Sequence, residues 1–260
     1  MAYLGAVQPE DGSRVYRRQI RVDRPGDGVV VGALEDTAHH VRVTLDFDDN
    51  RVRSISGEAV RLPWATCPGA AAGLAQLQGT TLTTSLAQLR GCYDPTAHCT
   101  HFFDLAQLTI AHAARGRKER VYEAVCSAVG DTTVASLTSD GEIVLEWTVR
   151  AGQIIEPALF SGVGLRQGFV RWCAAHLDDD AAEEAFVLRR AASMVGVANM
   201  RLDDYALVAD SGLLPGVCYT AQPENIKVAF RHVGSQRDYS GSGAGMLDGF
   251  EEARRRAASF

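Results

Sequence analysis

Hydrophobic and polar residues alternate most cleanly in the stretch around Val43. Val41, Val43, Leu45 and Phe47 are apolar, and Arg42, Thr44 and Asp46 separate them. That two-residue period describes a strand with one buried face. Asp48-Asp49-Asn50 turns it back into a second run over residues 52–62, so a hairpin is expected. Two strand-rich runs precede it, at residues 15–22 and 29–34, on either side of the turn Pro25-Gly26-Asp27-Gly28. His39 has the parity of Val41 and falls on the apolar side, whereas His40 points away. Arg18 shares a strand face with Tyr16, Ile20 and Val22, and a half-buried arginine calls for a carboxylate from the protein or from a substrate.

The period then lengthens. Pro68 suits a first helical turn, with Cys67 just before it, and the helix runs through Ala70, Ala71, Leu74 and Leu77 to Gly79. A short helix over residues 86–89 ends at Gly91. The next begins near Cys99 and carries Phe102, Phe103, Leu105, Ala106, Leu108 and Ile110. It is apolar almost all round and is expected to be deeply buried. Beyond Gly116, residues 121–129 read as a helix, followed by a strand meander over 132–137, 143–149 and 154–155. Residues 168–177 and 181–195 read as amphipathic helices, the second capped by Asp180. Mixed strand character appears around residues 226–233, and Ser240-Gly241-Ser242-Gly243-Ala244-Gly245 reads as a flexible linker before a short terminal helix.

The expected fold class is α+β, an antiparallel sheet followed by packed helices, with a C-terminal sheet-and-helix half. The expected divisions are residues 1–116, 117–240 and a tail at 241–260.

Composition narrows the partners. The 260 residues are 46% hydrophobic and 22% charged, with a formal charge of −6. No region is strongly basic, so nucleic acid is not an expected partner. No stretch approaches the ~20 apolar residues of a membrane span, and the N-terminus has no basic-then-apolar leader, so a cytoplasmic protein is expected. The six cysteines are then read as reduced thiols, core residues or ligands. Cys92, Cys126 and Cys173 sit in apolar contexts and read as packing.

The chemistry concentrates at Cys67, Cys99 and the histidines near them. A thiol at a helix N-terminus is electrostatically favoured as thiolate. Cys67, Cys99 and His39 together make a candidate soft-metal site. The alternative is that both cysteines are small buried hydrophobes. His101 suits proton transfer near neutrality, or equally a backbone-bonded histidine at a helix start. Asp36 and Asp104 stand near the two histidines in sequence and are candidates to orient them. Trp64 reads as pocket lining or core, and Cys218-Tyr219 as a loop over a pocket. No nucleophile elbow, P-loop or dinucleotide-binding glycine pattern is present.

Two resemblances add to this reading. Arg18-x-Ile20, Leu34-x-Asp36, His39, Cys67 and Cys99-Thr100-His101-Phe102-Phe103-Asp104-Leu105 together resemble a bacterial family catalogued as a domain of unknown function. Gly168-Phe169-x-x-Trp172 and Val187-Leu188-Arg189-Arg190-Ala191 resemble a long form of it. Residues 29–115 are also similar to iron–sulfur scaffold proteins of the NifU type, a SufE-like fold. The likeness rests on the hairpin, the helix opening at Cys67, Leu77-x-Gly79-x-x-Leu82, and His98-Cys99 opening an Ala-rich helix. This resemblance implies that Cys67 and Cys99 are ligands and that His39 stands where those proteins have an aspartate. Thr37 stands where they have their first cysteine.

The resulting set is His39, Cys67 and Cys99, with Asp36 or His101 able to complete it. Three protein ligands with an open fourth position is the arrangement of catalytic zinc. The leading expectation is a zinc- or iron-dependent lyase or hydrolase. Its substrate would be a small organic molecule, aromatic or acyl in type. His101, Asp36 and Asp104 would be catalytic, and Arg18, Trp64 and Tyr219 would bind substrate. A non-catalytic metal or cluster carrier and a metal-free binding protein are the alternatives. The oligomeric state is open, a homodimer being one option.

Overall fold

A computed structural model describes residues 14–91 and 98–258. Cys92 lies outside the described residues. The chain divides into two compact units, and neither is contiguous in sequence. One comprises residues 20–120, 201–237 and 245–260; the other comprises the N-terminal residues up to 19, with 121–200 and 238–244. The strand β1 (Tyr16–Gly26) contributes to both. The eight strands are antiparallel and are accompanied by several helices, an α+β fold.

The first unit holds the candidate chemistry. Its strand order is β4-β3-β2-β1, with β2 at Val29–Asp36, β3 at His40–Asp48 and β4 at Arg51–Arg61. The alternation in β3 appears as expected: Val41, Val43 and Leu45 are fully buried. Two α-helices follow, the short α1 (Leu86–Gly91) and the longer α2 (Thr100–Arg115). Glycines let α2 lie close against the sheet. A Cβ at Gly32 would come within 2.8 Å of Thr109 Cγ2, and one at Gly57 within 2.8 Å of Phe102 Cε1. Gly116, at φ 64°, ends α2 in the left-handed conformation that glycine adopts without steric cost.

The segment Cys67–Leu77 winds as a 3₁₀ helix, with Cys67 its first residue. Gly69 and Gly73 weaken an α-helix there, and both positions are pressed by neighbours. A Cβ at Gly69 would meet the Tyr219 hydroxyl at 2.8 Å, and one at Gly73 would clash with His98 Nδ1.

The opposite sheet face is covered by α5 (Phe250–Ala257), whose Phe250 and Ala257 cluster with Val29, Val31 and Ala33. Arg254 pairs with Asp23 at 2.8 Å and Arg21 with Glu251 at 2.7 Å. The short terminal helix is therefore tied to the sheet by apolar and ionic contacts. Strand character around residues 226–233 does not materialise as a strand. That stretch makes isolated bridges only, Trp64 with Arg231 and Leu207 with Phe230, and leaves Val228 and Phe230 exposed.

The second unit carries β5 (Glu119–Val129), β6 (Thr132–Ser139), β7 (Glu142–Arg150) and β8 (Gln153–Glu156) as a meander. Residues 121–129 are strand rather than the expected helix. Tyr122, Ala124 and Cys126 are buried at every second position, and β6 pairs along the whole run, Tyr122 with Ser139 through Val129 with Thr132. Pairing with a neighbouring strand overrides the Ala-containing local pattern. α3 (Phe169–His176) and α4 (Asp179–Ala192) form as expected, but Asp178, not Asp180, caps α4, accepting from Ala181 N at 2.8 Å. Among the described residues, no helix is long and apolar enough to cross a membrane.

Candidate metal centre

The site is built where β2 turns into β3. Asp36 ends β2, and its Oδ1 accepts from the backbone N–H of Ala38 and of His39, both at 2.9 Å. An aspartate that bonds the backbone two and three residues on closes its own turn. The same oxygen meets His39 Nδ1 at 3.0 Å. Arg61, the last residue of β4, clamps this turn. Its guanidinium donates to the carbonyls of Asp36 at 2.7 Å, Thr37 at 3.2 Å, His39 at 3.3 Å and Ser235 at 2.7 Å, and to Glu35 Oε1 at 2.8 Å.

The parity read from the sequence holds here. His39 faces α2, while His40 pairs with Glu35 on the other face. That other face is not solvent. Leu247 N donates to Glu35 Oε2 at 2.6 Å, so the C-terminal segment covers it. Burial pushes the His40 pKa down.

The third group comes from the first turn of α2. His101 Nε2 stands 3.6 Å from Asp36 Oδ2, and its ring stacks on His39 at 3.6 Å between centroids, 22° from parallel. Asp36 is fully buried and so reaches one histidine with each oxygen. Asp36, His39 and His101 each offer a ligand atom, and these atoms all lie within 4.8 Å of one another. Two imidazoles and a carboxylate form a donor set that suits zinc or iron(II). Among the described residues, no other three His, Cys, Asp or Glu side chains meet that criterion.

Cys67 and Cys99 therefore stand outside this group. Cys99 is the residue before α2, and its Sγ lies 3.9 Å from His101 Nδ1. The two ring nitrogens diverge, so Cys99 sits behind the nitrogen that faces Asp36. Burial opposes the expected thiolate character. Burial is the largest influence and raises the Cys99 pKa to about 12, although the backbone N–H groups of Phe102 and His101 oppose it. Burial likewise pushes Cys67 far up, with Cys99 and Cys218 adding to the rise. Desolvation outweighs the helix end because a buried sulfur has lost its water on every side.

Residues 22–115 match the family model described as "Protein of unknown function (DUF2889)". The matched segment runs from β1 to the end of α2 and contains Asp36, His39, Cys67, Cys99 and His101, but not Cys218 or Tyr219. The description carries no activity. No curated protein and no solved structure matches the chain.

The remaining candidates are spread out. Asp104 is buried one turn along α2 and pairs with Arg90 at 3.5 Å; the carboxylate that touches both histidines is Asp36. Trp64 is buried beside Arg231, whose guanidinium lies 5.8 Å from its ring centre. Tyr219 N donates to His98 O at 3.0 Å, which holds its turn against the start of α2. Arg18 is buried in the other unit, and its Nε donates to the Tyr16 hydroxyl at 3.2 Å. Arg61 was not legible: an arginine at a strand end reads as a solvated charge.

A groove of about 1080 Å³, with Arg42, Thr44, Asp46, Glu58 and Arg256 in its lining, lies on the α5 face of the sheet. It is on the side away from His39 and His101, because Arg42 and Thr44 alternate with the residues that face α2.

Proposed function

We propose that this chain is a metal-dependent enzyme of the lyase or hydrolase type, with Asp36, His39 and His101 as the ligands of a zinc or iron ion. The observation that carries the reading is the convergence of three ligand atoms within 4.8 Å at a buried carboxylate. Asp36, His39 and His101 would hold such an ion, which would supply Lewis-acid chemistry: polarisation of a substrate oxygen or a lowered pKa of water, to ~7. The chain's own part is positional. Arg61 fixes the turn that bears Asp36 and His39, Asp36 spans both imidazoles, and Cys99 backs the ring of His101.

The substrate we propose is a small organic molecule with an aromatic or acyl part. Segment 201–237 of the same unit bears the exposed side chains of Leu213, Leu214, Val217, Val228 and Phe230, together with Tyr219 and Arg231. The hairpin of β3 and β4, Cys67 at a helix start and Cys99 before α2 are in keeping with a NifU-type ancestry. A donor set of two nitrogens and one oxygen favours a catalytic ion over an iron–sulfur carrier.

Elemental analysis of the purified chain tests the reading. About one zinc or iron per chain is expected, with Asp36→Asn and His39→Ala each lowering affinity while circular dichroism stays unchanged. Wild-type protein that binds neither ion in titration calorimetry sinks it. A reconstituted protein with sulfur-to-iron charge-transfer bands and no turnover of acyl or aryl esters would instead make it a carrier.

A further inference from the structure

Alternate residues of β3 and β4 make a polar strip on the sheet face that carries α5. The helix packs over β2, with Phe250 and Ala257 on Val29, Val31 and Ala33, and the strip beyond it lines the groove of about 1080 Å³. Three cross-strand pairs form the floor: Arg42 opposite Glu58, Thr44 opposite Ser56, and Asp46 opposite Ser54. The first is an ion pair. Arg42 Nη1 donates to both Glu58 oxygens at 3.2 Å, and its Nη2 donates to Asp248 O at 2.7 Å. In the third, Ser54 Oγ donates to Asp46 Oδ2 at 2.6 Å. Among the described residues, no group engages Asp46 Oδ1 or the hydroxyls of Thr44 and Ser56. Thr44 and Asp46 are half-buried and Ser56 is exposed.

We infer that this groove binds a neutral oligosaccharide. Its lining carries three guanidinium groups, those of Arg42, Arg53 and Arg256, against three carboxylates, those of Asp27, Asp46 and Glu58. An anion in the groove faces the carboxylates and a cation faces the guanidinium groups. An uncharged ligand rich in hydroxyls uses both, because each hydroxyl donates one hydrogen bond and accepts others. Asp46 Oδ1 takes ligand hydroxyls as an ionised acceptor, the stronger kind. The Thr44 and Ser56 hydroxyls stand beside it and serve as donor or acceptor. At the rim, Arg53 and Arg256 are 74% and 58% exposed and held by weak surface ion pairs, so they turn readily toward ligand oxygens. The volume exceeds the ~300–1,000 Å³ of clefts that hold drug-sized ligands, which leaves room for more than one sugar ring. The floor lies on two paired strands, so little ordering accompanies binding.

The inference does not rest on the proposed metal centre. Val43 and Leu45 are buried on the α2 side, whereas Thr44 and Asp46 line the groove, so the two sites occupy opposite faces. Saturation-transfer difference NMR on the full chain, which needs no turnover, reads the groove alone. The probes are four neutral trisaccharides: maltotriose, cellotriose, mannotriose and triacetylchitotriose. Phenyl phosphate and putrescine serve as charged comparisons. At least one trisaccharide is expected to receive saturation at ~10 mM, with the largest amide shifts in residues 42–46 and 54–58. Asp46→Asn is expected to weaken that binding roughly tenfold, the loss of a hydrogen bond to a charged group. Thr44→Val keeps the side-chain shape and the strand, and should weaken it about threefold or more. Saturation of none of the four trisaccharides, of phenyl phosphate or putrescine only, or wild-type affinity in both variants overturns the inference.

Discussion

Replacing Arg61 by methionine removes one charge and five hydrogen bonds from beneath the candidate site while keeping much of the side-chain volume. The guanidinium is 11% exposed and its partner Glu35 is 5% exposed, so neither is well hydrated. Removing one member of a buried pair costs about 3–5 kcal/mol, because the other charge is left uncompensated. Glu35 keeps Leu247 N at 2.6 Å and His40 Nδ1 at 3.4 Å, which places the expected loss at the lower end, about 3 kcal/mol. The carbonyls of Asp36 and Ser235 lose the guanidinium donor in the same substitution, whereas Thr37 O keeps Arg237 N at 2.9 Å and His39 O keeps Asp36 N at 2.8 Å. Urea denaturation followed by circular dichroism measures the loss. The double variant with Glu35→Gln separates the ionic part from the carbonyl part, and a coupling above about 1 kcal/mol is expected for groups in one network. Zinc affinity should fall about 10–100-fold in the single variant, as for other residues that orient metal ligands. A stability loss under about 1 kcal/mol, with no coupling to Glu35, would refute the clamp.

Three further outcomes follow from the packing. Gly32→Ala places a methyl 2.8 Å from Thr109 Cγ2 and 2.9 Å from Leu105 Cδ1, so α2 must shift, and a loss of about 1–3 kcal/mol in thermal or urea unfolding is expected; an unchanged melting temperature would show that α2 has slack. His112 is buried near the end of α2, and burial lowers its pKa from 6.5 to about 4. The unfolded chain therefore binds more protons between these values, so stability is complete above pH 6.5 and falls as pH drops through this window toward 4. His112→Gln should flatten that dependence in urea midpoints measured across the window. Tyr122→Phe removes a hydroxyl that donates to the buried Glu183 at 2.6 Å, with an expected cost of about 1–3 kcal/mol and a smaller effect when Glu183→Gln is already present.

Much of the first unit is written in local pattern. The alternation from Val41 to Phe47, the apolar run from Phe102 to Ile110 and the helix-starting context of Cys99 each survive as elements, because burial on one face or all faces leaves a periodic trace. Residues 121–129 lack that independence. Their Val, Ala and Cys content suits either state, and only the ladder to β6 selects the strand. The cap of α4 moved from Asp180 to Asp178 because three successive aspartates are equivalent locally and only the helix register chooses among them.

The sequence by itself determined which side chains are available for chemistry: Asp36 and His39 at the end of a strand, and Cys99 and His101 at the start of a buried helix. It also determined that His39 and His40 face opposite ways, since a strand alternates. Only the tertiary structure decided which of these side chains meet. The close approach of α2 at Gly32 and Gly57 brings His101 onto His39 and Asp36. The same approach leaves Cys99 behind the ring, where burial raises its pKa. Tyr219 and Thr220, far along the chain, are tied to His98 and Thr66 by backbone and hydroxyl bonds that leave no periodic signal in the sequence. Distances between segments depend on how faces pack, and a residue's neighbours in the chain do not encode them.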